Sequence, residues 1–144
     1  MNRIGPGGRT VICPACTGSI KTARKVKPDI LVFYHSDGNP SAVIPDLIQI
    51  GVNILNPIQP ECMDPATLKE KYGNQLAFWG TIGTQTTFPF GKPEDIKAVV
   101  RQRMETVGIG GGLLLGPTHM LEPDVPWENI LAFFEAVNEF GYYR

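Results

Sequence analysis

The chain has no uninterrupted apolar run of about 18 residues, so nothing in it reads as a membrane-spanning helix. It has no excess of one charge. Thirteen Lys and Arg stand against fourteen Asp and Glu, a formal net charge of -1, and this excludes a basic footprint for nucleic acid. The opening stretch Met1-Asn2-Arg3-Ile4-Gly5-Pro6-Gly7-Gly8 lacks the apolar core of a signal peptide, and a cytoplasmic location is the expectation. Neither a Walker A nor a GxGxxG pattern is present, so nucleotide binding has no support. Cysteine is scarce: Cys13, Cys16 and Cys62. Cys13-Pro14-Ala15-Cys16 has CxxC spacing, but no second pair exists to complete a zinc ribbon. A thioredoxin-like motif would stand between a strand and a helix, which fits loosely here. The other reading is two reduced thiols in a loop.

What is present is a repeated pattern. Hydrophobic residues make up 42% of the 144 and charged residues 19%, enough to bury the core of one domain. Four short apolar runs occur, at Ile30–Tyr34, Val52–Leu55, Leu76–Trp79 and Gly112–Gly116. Each ends in a polar cluster and leads to a helix-forming segment. A short strand that is apolar throughout is buried on both faces, as in a parallel sheet covered by helices. Ser41 to Ile50 reads as a helix closed by Gly51. Asp64-Pro65 is an N-cap with Pro at the first helical position, and Gly73 ends that helix. Pro93-Glu94-Asp95 opens a longer helix with acids in its positive first turn, ended by Gly108. Asp124 and Pro126 start the last helix, with Trp127, Ile130, Leu131, Phe134 and Val137 as its expected buried stripe. Trp79 and the Phe133-Phe134 pair also read as core. A further helical stretch is expected over Ser19 to Lys27, after an irregular lead-in at 1–18. The expected fold is α/β: four parallel βα units, half of a (β/α)8 barrel over 19–144. A full barrel needs about 250 residues. A half barrel has two raw edges, which predicts a second copy, a partner or a missing amino-terminal half, unless the chain is a small open sheet in its own right.

In parallel sheets under helices the chemistry collects beyond the carboxyl ends of the strands. His35 and Asp37 follow the first strand two residues apart, which puts them on one side of an extended segment. They fit a base with its orienting carboxylate, or two metal ligands; otherwise Asp37 caps a turn and His35 packs. His119 follows the fourth strand, so both histidines of the chain stand at strand ends. The second loop offers Asn56, Gln59, Glu61, Cys62 and Asp64, with Asp64 better read as the helix cap. The third strand end, Gly80-Thr81-Ile82-Gly83-Thr84-Gln85, is small and polar, and Thr81 and Gln85 are candidate hydrogen-bond donors. Gly110-Gly111-Gly112 lies at a strand's amino end, where a tight turn fits better than a phosphate site. The expected catalytic residues are His119, His35 and Asp37, and the expected substrate-binding residues are Asn56, Gln59, Glu61, Thr81 and Gln85. The alternative is a metal held by His35, Asp37, Glu61 and His119.

These landmarks resemble the carboxy-terminal half of the uroporphyrinogen decarboxylase family. The matching segments are His35-Ser36-Asp37-Gly38-Asn39, Ile44-Pro45-Asp46-Leu47-Ile48, and Gly51 through Pro57. Gln59-Pro60-Glu61-Cys62-Met63-Asp64-Pro65, Phe78 through Gln85, and Gly111-Gly112 to Pro117-Thr118-His119 continue the series. The resemblance implies an eight-stranded barrel that removes carboxyl groups from the acetate side chains of a tetrapyrrole, as in porphyrin biosynthesis, without a cofactor. It implies a role for the histidine after the last strand, here His119. An aspartate and arginines from the amino-terminal half have no counterpart in this chain. Related methyltransferases move methyl groups between corrinoid carriers and thiols with zinc, typically through His-x-Cys after the fifth strand. Here that position reads His35-x-Asp37, which departs from a thiolate zinc site. The stretch 1–17 does not look like the family, and a truncated or frameshifted reading frame would account for that. A non-catalytic half-barrel module is the remaining reading.

Overall fold

The computed structural model describes Arg3–Ile4, Thr10–Val11 and residues 14–143. Its centre is a four-stranded sheet in the order β3 (Phe33–His35), β4 (Ile54–Ile58), β5 (Ala77–Ile82), β6 (Leu113–Pro117), with every neighbouring pair parallel. Each strand is followed by a helix: α2 (Ile44–Ile50), α3 (Pro65–Tyr72), α5 (Pro93–Thr106) and α6 (Trp127–Phe140). This is the expected half-barrel pattern of βα units. No described helix is long and apolar enough to cross a membrane.

Three features differ from the expectation. The lead-in is not wholly irregular: β1 (Arg3–Ile4) pairs antiparallel with β2 (Thr10–Val11). Helix α1 (Pro14–Val26) starts at a proline, which suits a first helical turn because the missing N–H would have no partner there. Cys16 therefore lies exposed and free on a helix rather than in a loop, while Cys13 lies outside the described residues. A four-residue helix, α4 (Thr87–Phe90), stands between β5 and α5.

Local chemistry explains the boundaries. Gly51 closes α2 at φ 97°, a left-handed conformation that glycine adopts without a Cβ clash, and its N–H bonds to Ile48 O. Arg24 of α1 then donates to Gly51 O at 2.7 Å and Asn53 Oδ1 at 3.1 Å, tying α1 to the start of β4. Asp95 accepts from Lys92 N at 2.9 Å and caps α5. Asp64 accepts from Thr67 N at 2.9 Å and from Thr67 Oγ1 at 2.5 Å, and so caps α3. Those two bonds hold the Asp64 carboxyl below its ordinary range. A depressed carboxyl pKa contributes stability above the unfolded value of about 3.9, and that contribution fades as pH falls through the folded value. Asp64→Ala is expected to cost about 1 kcal/mol at pH 7, as lost N-caps do. The loss should shrink when denaturant midpoints are compared at acid pH, and an equal loss at both pH values would contradict it.

The core lies on the helix side of the sheet. Ile44, Leu47, Leu55, Ile58 and Phe78 form one buried cluster. Ile82, Phe88, Ile96, Val100, Ala132, Phe133 and Ala136 form another under α4, α5 and α6. The other face of the sheet is open. Phe33, Trp79 and Leu114 point out of it at 45%, 39% and 53% exposure. The expectation of strands buried on both faces thus fails for one face, because four strands supply only part of a closed wall. Trp79 is not core for this reason. The expected stripe of α6 holds only in part: Ile130 and Val137 pack against the second cluster, but Trp127, Leu131 and Phe134 are exposed, and Asn129, Ala132, Phe133 and Ala136 are buried instead. The small Ala132 and Ala136 let α6 lie close on the neighbouring core, and Phe133 meets Phe88 edge to face at 5.6 Å.

Candidate functional site

The loops beyond the strand ends are joined by a polar ladder. Gly38 N after β3 donates to Gln59 Oε1 after β4 at 2.5 Å, and Asn39 Nδ2 donates to Cys62 O at 3.0 Å. Glu61 accepts from Thr86 Oγ1 at 3.0 Å, linking the β4 and β5 loops. Thr84 N donates to Thr118 Oγ1 at 3.3 Å, linking the β5 and β6 loops. Gly83 leaves room for this carboxylate: a Cβ there would fall within 2.2 Å of the Glu61 carboxylate, which would have to move aside.

This ladder surrounds a cavity of about 480 Å³. Asp37, Gly38, Gln59 and Cys62 line one side, and Thr84, Gln85, His119, Met120 and Glu122 line the other. The size is typical of a small-molecule site. Residues from all four strand ends therefore meet in one place, with Asp37 and His119 coming from the first and last of them. Another cavity, of about 350 Å³, lies between the C-terminal turns of α5 and α6, beside the turn into β6. Its walls are Met104, Ile109, Phe140 and Tyr142 with the paired Arg101 and Glu105, and it holds none of the residues singled out by sequence.

His35 stands beside the cavity on the open face of β3. Its Nδ1 is 2.7 Å from Asn56 Oδ1, and its Nε2 is 3.8 Å from Asp37 Oδ1. Asn56 and Thr81 do not reach the cavity. Asn56 is buried between His35 and the Trp79 carbonyl. Thr81 is fully buried at φ 86°, a strained conformation for a β-branched residue, with its hydroxyl unpartnered. Its carbonyl accepts from Arg103 Nε at 3.1 Å, so a side chain from α5 props the end of β5 from behind. Burial pulls the Arg103 pKa down, against the opposing pull of the Asp64 and Glu61 carboxylates. Sequence reading missed Thr84, Thr118, Met120 and Glu122. The signals for them were the polar strand end Gly80–Gln85, which includes Thr84, and the adjacency of Thr118 and Met120 to His119.

The donors do not converge as a metal site. No group of three or more His, Cys, Asp or Glu among the described residues is placed to hold an ion. Within the alternative set His35, Asp37, Glu61 and His119, only His35 and Asp37 approach each other, and Glu61 is engaged by Thr86. The described residues do not fit zinc.

A family model described as uroporphyrinogen decarboxylase (URO-D) matches residues 9–140. A uroporphyrinogen decarboxylase of Methylococcus capsulatus is 30% identical over 78 residues, 54% of this chain and 22% of that protein. A methyltransferase from Methanosarcina mazei shares the fold with a TM-score of 0.67, over 88% of this chain and 36% of its own, at 21% identity. That likeness concerns the fold alone. This chain thus spans about a fifth of the curated relative and about a third of the solved structure. Since the family match runs from the lead-in to the end of α6 and takes in every strand end that lines the cavity, the chain belongs to the uroporphyrinogen decarboxylase family.

Proposed function

We propose that this chain forms the carboxy-terminal half of a barrel enzyme that decarboxylates acetate side chains of a tetrapyrrole without a cofactor. The observation that carries the reading is the cavity itself, which Asp37 and His119 line from the loops after the two edge strands, together with Gln59 and Gln85. Decarboxylation needs carboxylates held in place and a proton delivered to the carbon that loses CO2. Gln59 Oε1 is occupied by Gly38 N, so its amide NH2 is the end free to donate to a substrate carboxylate. His119 and the His35–Asp37 pair are the proton-handling groups. The remaining aspartate and arginines implied by the family belong to an amino-terminal half, supplied by a partner or by further chain. In a porphyrinogen assay on this chain joined to such a half, His119→Ala is expected to lower turnover roughly 10²–10⁴-fold, as loss of a general acid does. Unchanged turnover would remove the reading.

A second reading, transfer of methyl groups between a corrinoid and a thiol, has in its favour only the fold shared with the Methanosarcina mazei methyltransferase, since the donors among the described residues do not converge on a zinc site. Metal analysis separates the two. Stoichiometric zinc that is lost in His35→Ala would favour methyl transfer over decarboxylation. A non-catalytic module is favoured instead if no family substrate reacts while a partner chain co-purifies.

A further inference from the structure

We infer that Asn56 is a positioning residue that holds His35 as its Nδ1–H tautomer and leaves Nε2 as the bare, proton-accepting atom. The inference rests on the proposed function only for the destination of the proton. His35 on β3 and Asn56 on β4 are register partners in the parallel pair, so their side chains leave the sheet next to each other. The Asn56 amide has two unlike ends, and its surroundings decide which faces which. One end lies 3.3 Å from the Trp79 carbonyl oxygen, which only accepts, so that end is the NH2. The other end, Oδ1, then faces His35 Nδ1 at 2.7 Å. A carbonyl oxygen only accepts, so Nδ1 carries the hydrogen. The opposite tautomer would set two lone pairs against each other at that distance. In a neutral imidazole with Nδ1–H, Nε2 is the acceptor.

That bare nitrogen is aimed usefully. Nε2 stands 3.8 Å from Asp37 Oδ1, and both side chains are open to solvent. Phe33, 6.3 Å from the His35 ring centre and 5.2 Å from that of Trp79, borders the imidazole along the open sheet face. When Nε2 takes a proton, the imidazolium has an acceptor on each side, Asn56 Oδ1 and the Asp37 carboxylate. In the decarboxylation direction the C–CO2 bond breaks and CO2 leaves. The electron pair left on carbon takes the Nε2 proton, and Nε2 returns to its bare state to be recharged from solvent. Asn56 was expected from sequence to bind substrate. Its burial and its two bonds give it this other task.

The test is long-range ¹⁵N–¹H correlation NMR on the labelled full chain at alkaline pH. The chain has two histidines, and His119→Gln assigns the spectrum by removing one pattern. The expected His35 pattern is an upfield, protonated Nδ1 and a downfield, bare Nε2. Asn56→Leu should lose that pattern and give the Nε2–H form that unconstrained histidines favour. Asn56→Asp, whose oxygen can accept the same bond, should keep it. A merely structural Asn56 would not make the tautomer follow the acceptor. An Nε2–H pattern in the wild type, or an unchanged pattern in Asn56→Leu, overturns the inference. If Asn56→Leu does not fold, the wild-type and Asn56→Asp spectra still decide. No turnover is needed, so failure of the decarboxylase reading and failure of this inference remain distinguishable.

Discussion

Purified by itself, the 144-residue chain should self-associate and leave a porphyrinogen unchanged. The open sheet face carries Phe33, Trp79 and Leu114, and α6 adds Trp127, Leu131 and Phe134. At about 25 cal/mol per Å², covering a few hundred Å² of such surface is worth several kcal/mol. That is comparable with the whole stability of a small domain, roughly 5–15 kcal/mol. Strands β3 and β6 each bond to one neighbour among the described residues, so both edges of the sheet are open to a further strand. A twofold axis along the strands would set β6 of one copy parallel to β3 of the other, at both seams at once. A second copy is therefore the occupant this surface fits when nothing else is supplied. Light scattering should give a mass above 15.8 kDa, and Phe33→Lys with Trp79→Lys should bring it down to the monomer. Lysine on the open face introduces like-charge repulsion without touching the buried clusters. A wild-type monomer would contradict the association. Turnover at a rate ordinary for enzymes, about 1–1,000 per second, would show that no amino-terminal half is needed.

The same open face explains how much of the molecule was legible. The four strands and their helices were readable because apolar runs, caps and closing glycines are local signals. Asp64 capping α3 and Gly51 closing α2 are cases where the residue type alone dictates the geometry. The site's location was readable too, since it follows from the strand ends. Its membership was readable only in part: Asp37, Gln59, Gln85 and His119 line the cavity, whereas Asn56 and Thr81 do not. Thr81 and Asn56 sit at the right point in the chain, but a register shift between β4 and β5 near Leu55 and Ile58 interrupts the regular alternation that would aim their side chains. The stripe of α6 held only in part for a different reason. Hydrophobicity ranks Trp127, Leu131 and Phe134 above Asn129 and Ala132, yet the buried side is set by what α6 packs on. Small residues allow close approach there, and the larger apolar Trp127, Leu131 and Phe134 are left exposed.

That packing makes Phe88 the residue whose loss should matter most for stability. It belongs to α4, the four-residue helix that sequence periodicity did not reveal, and it is 0% exposed. Its ring meets Phe133 of α6 and shares a cluster with Ile82 of β5 and with Ile96 and Val100 of α5, so one side chain joins three elements. Asn129 secures the same segment by polar means. Its Nδ2 donates to Phe88 O at 2.8 Å and Gly91 O at 2.7 Å, satisfying two carbonyls at the end of a helix too short to satisfy them itself. Phe88→Ala should cost about 3–5 kcal/mol, the range for large aromatic truncations in a core that cannot collapse. Asn129→Leu keeps the branching and the number of heavy atoms but strands both carbonyls, and about 1–3 kcal/mol is expected for each buried group left unpaired. The two sites act on one segment, so the double variant should fall short of the sum of the single losses. Urea denaturation followed by circular dichroism tests this. A Phe88→Ala loss below about 1 kcal/mol would mean that α4 is not fastened to the core as described, since buried aromatic truncations exceed that value. Full additivity would show that the aromatic and polar fastenings are independent.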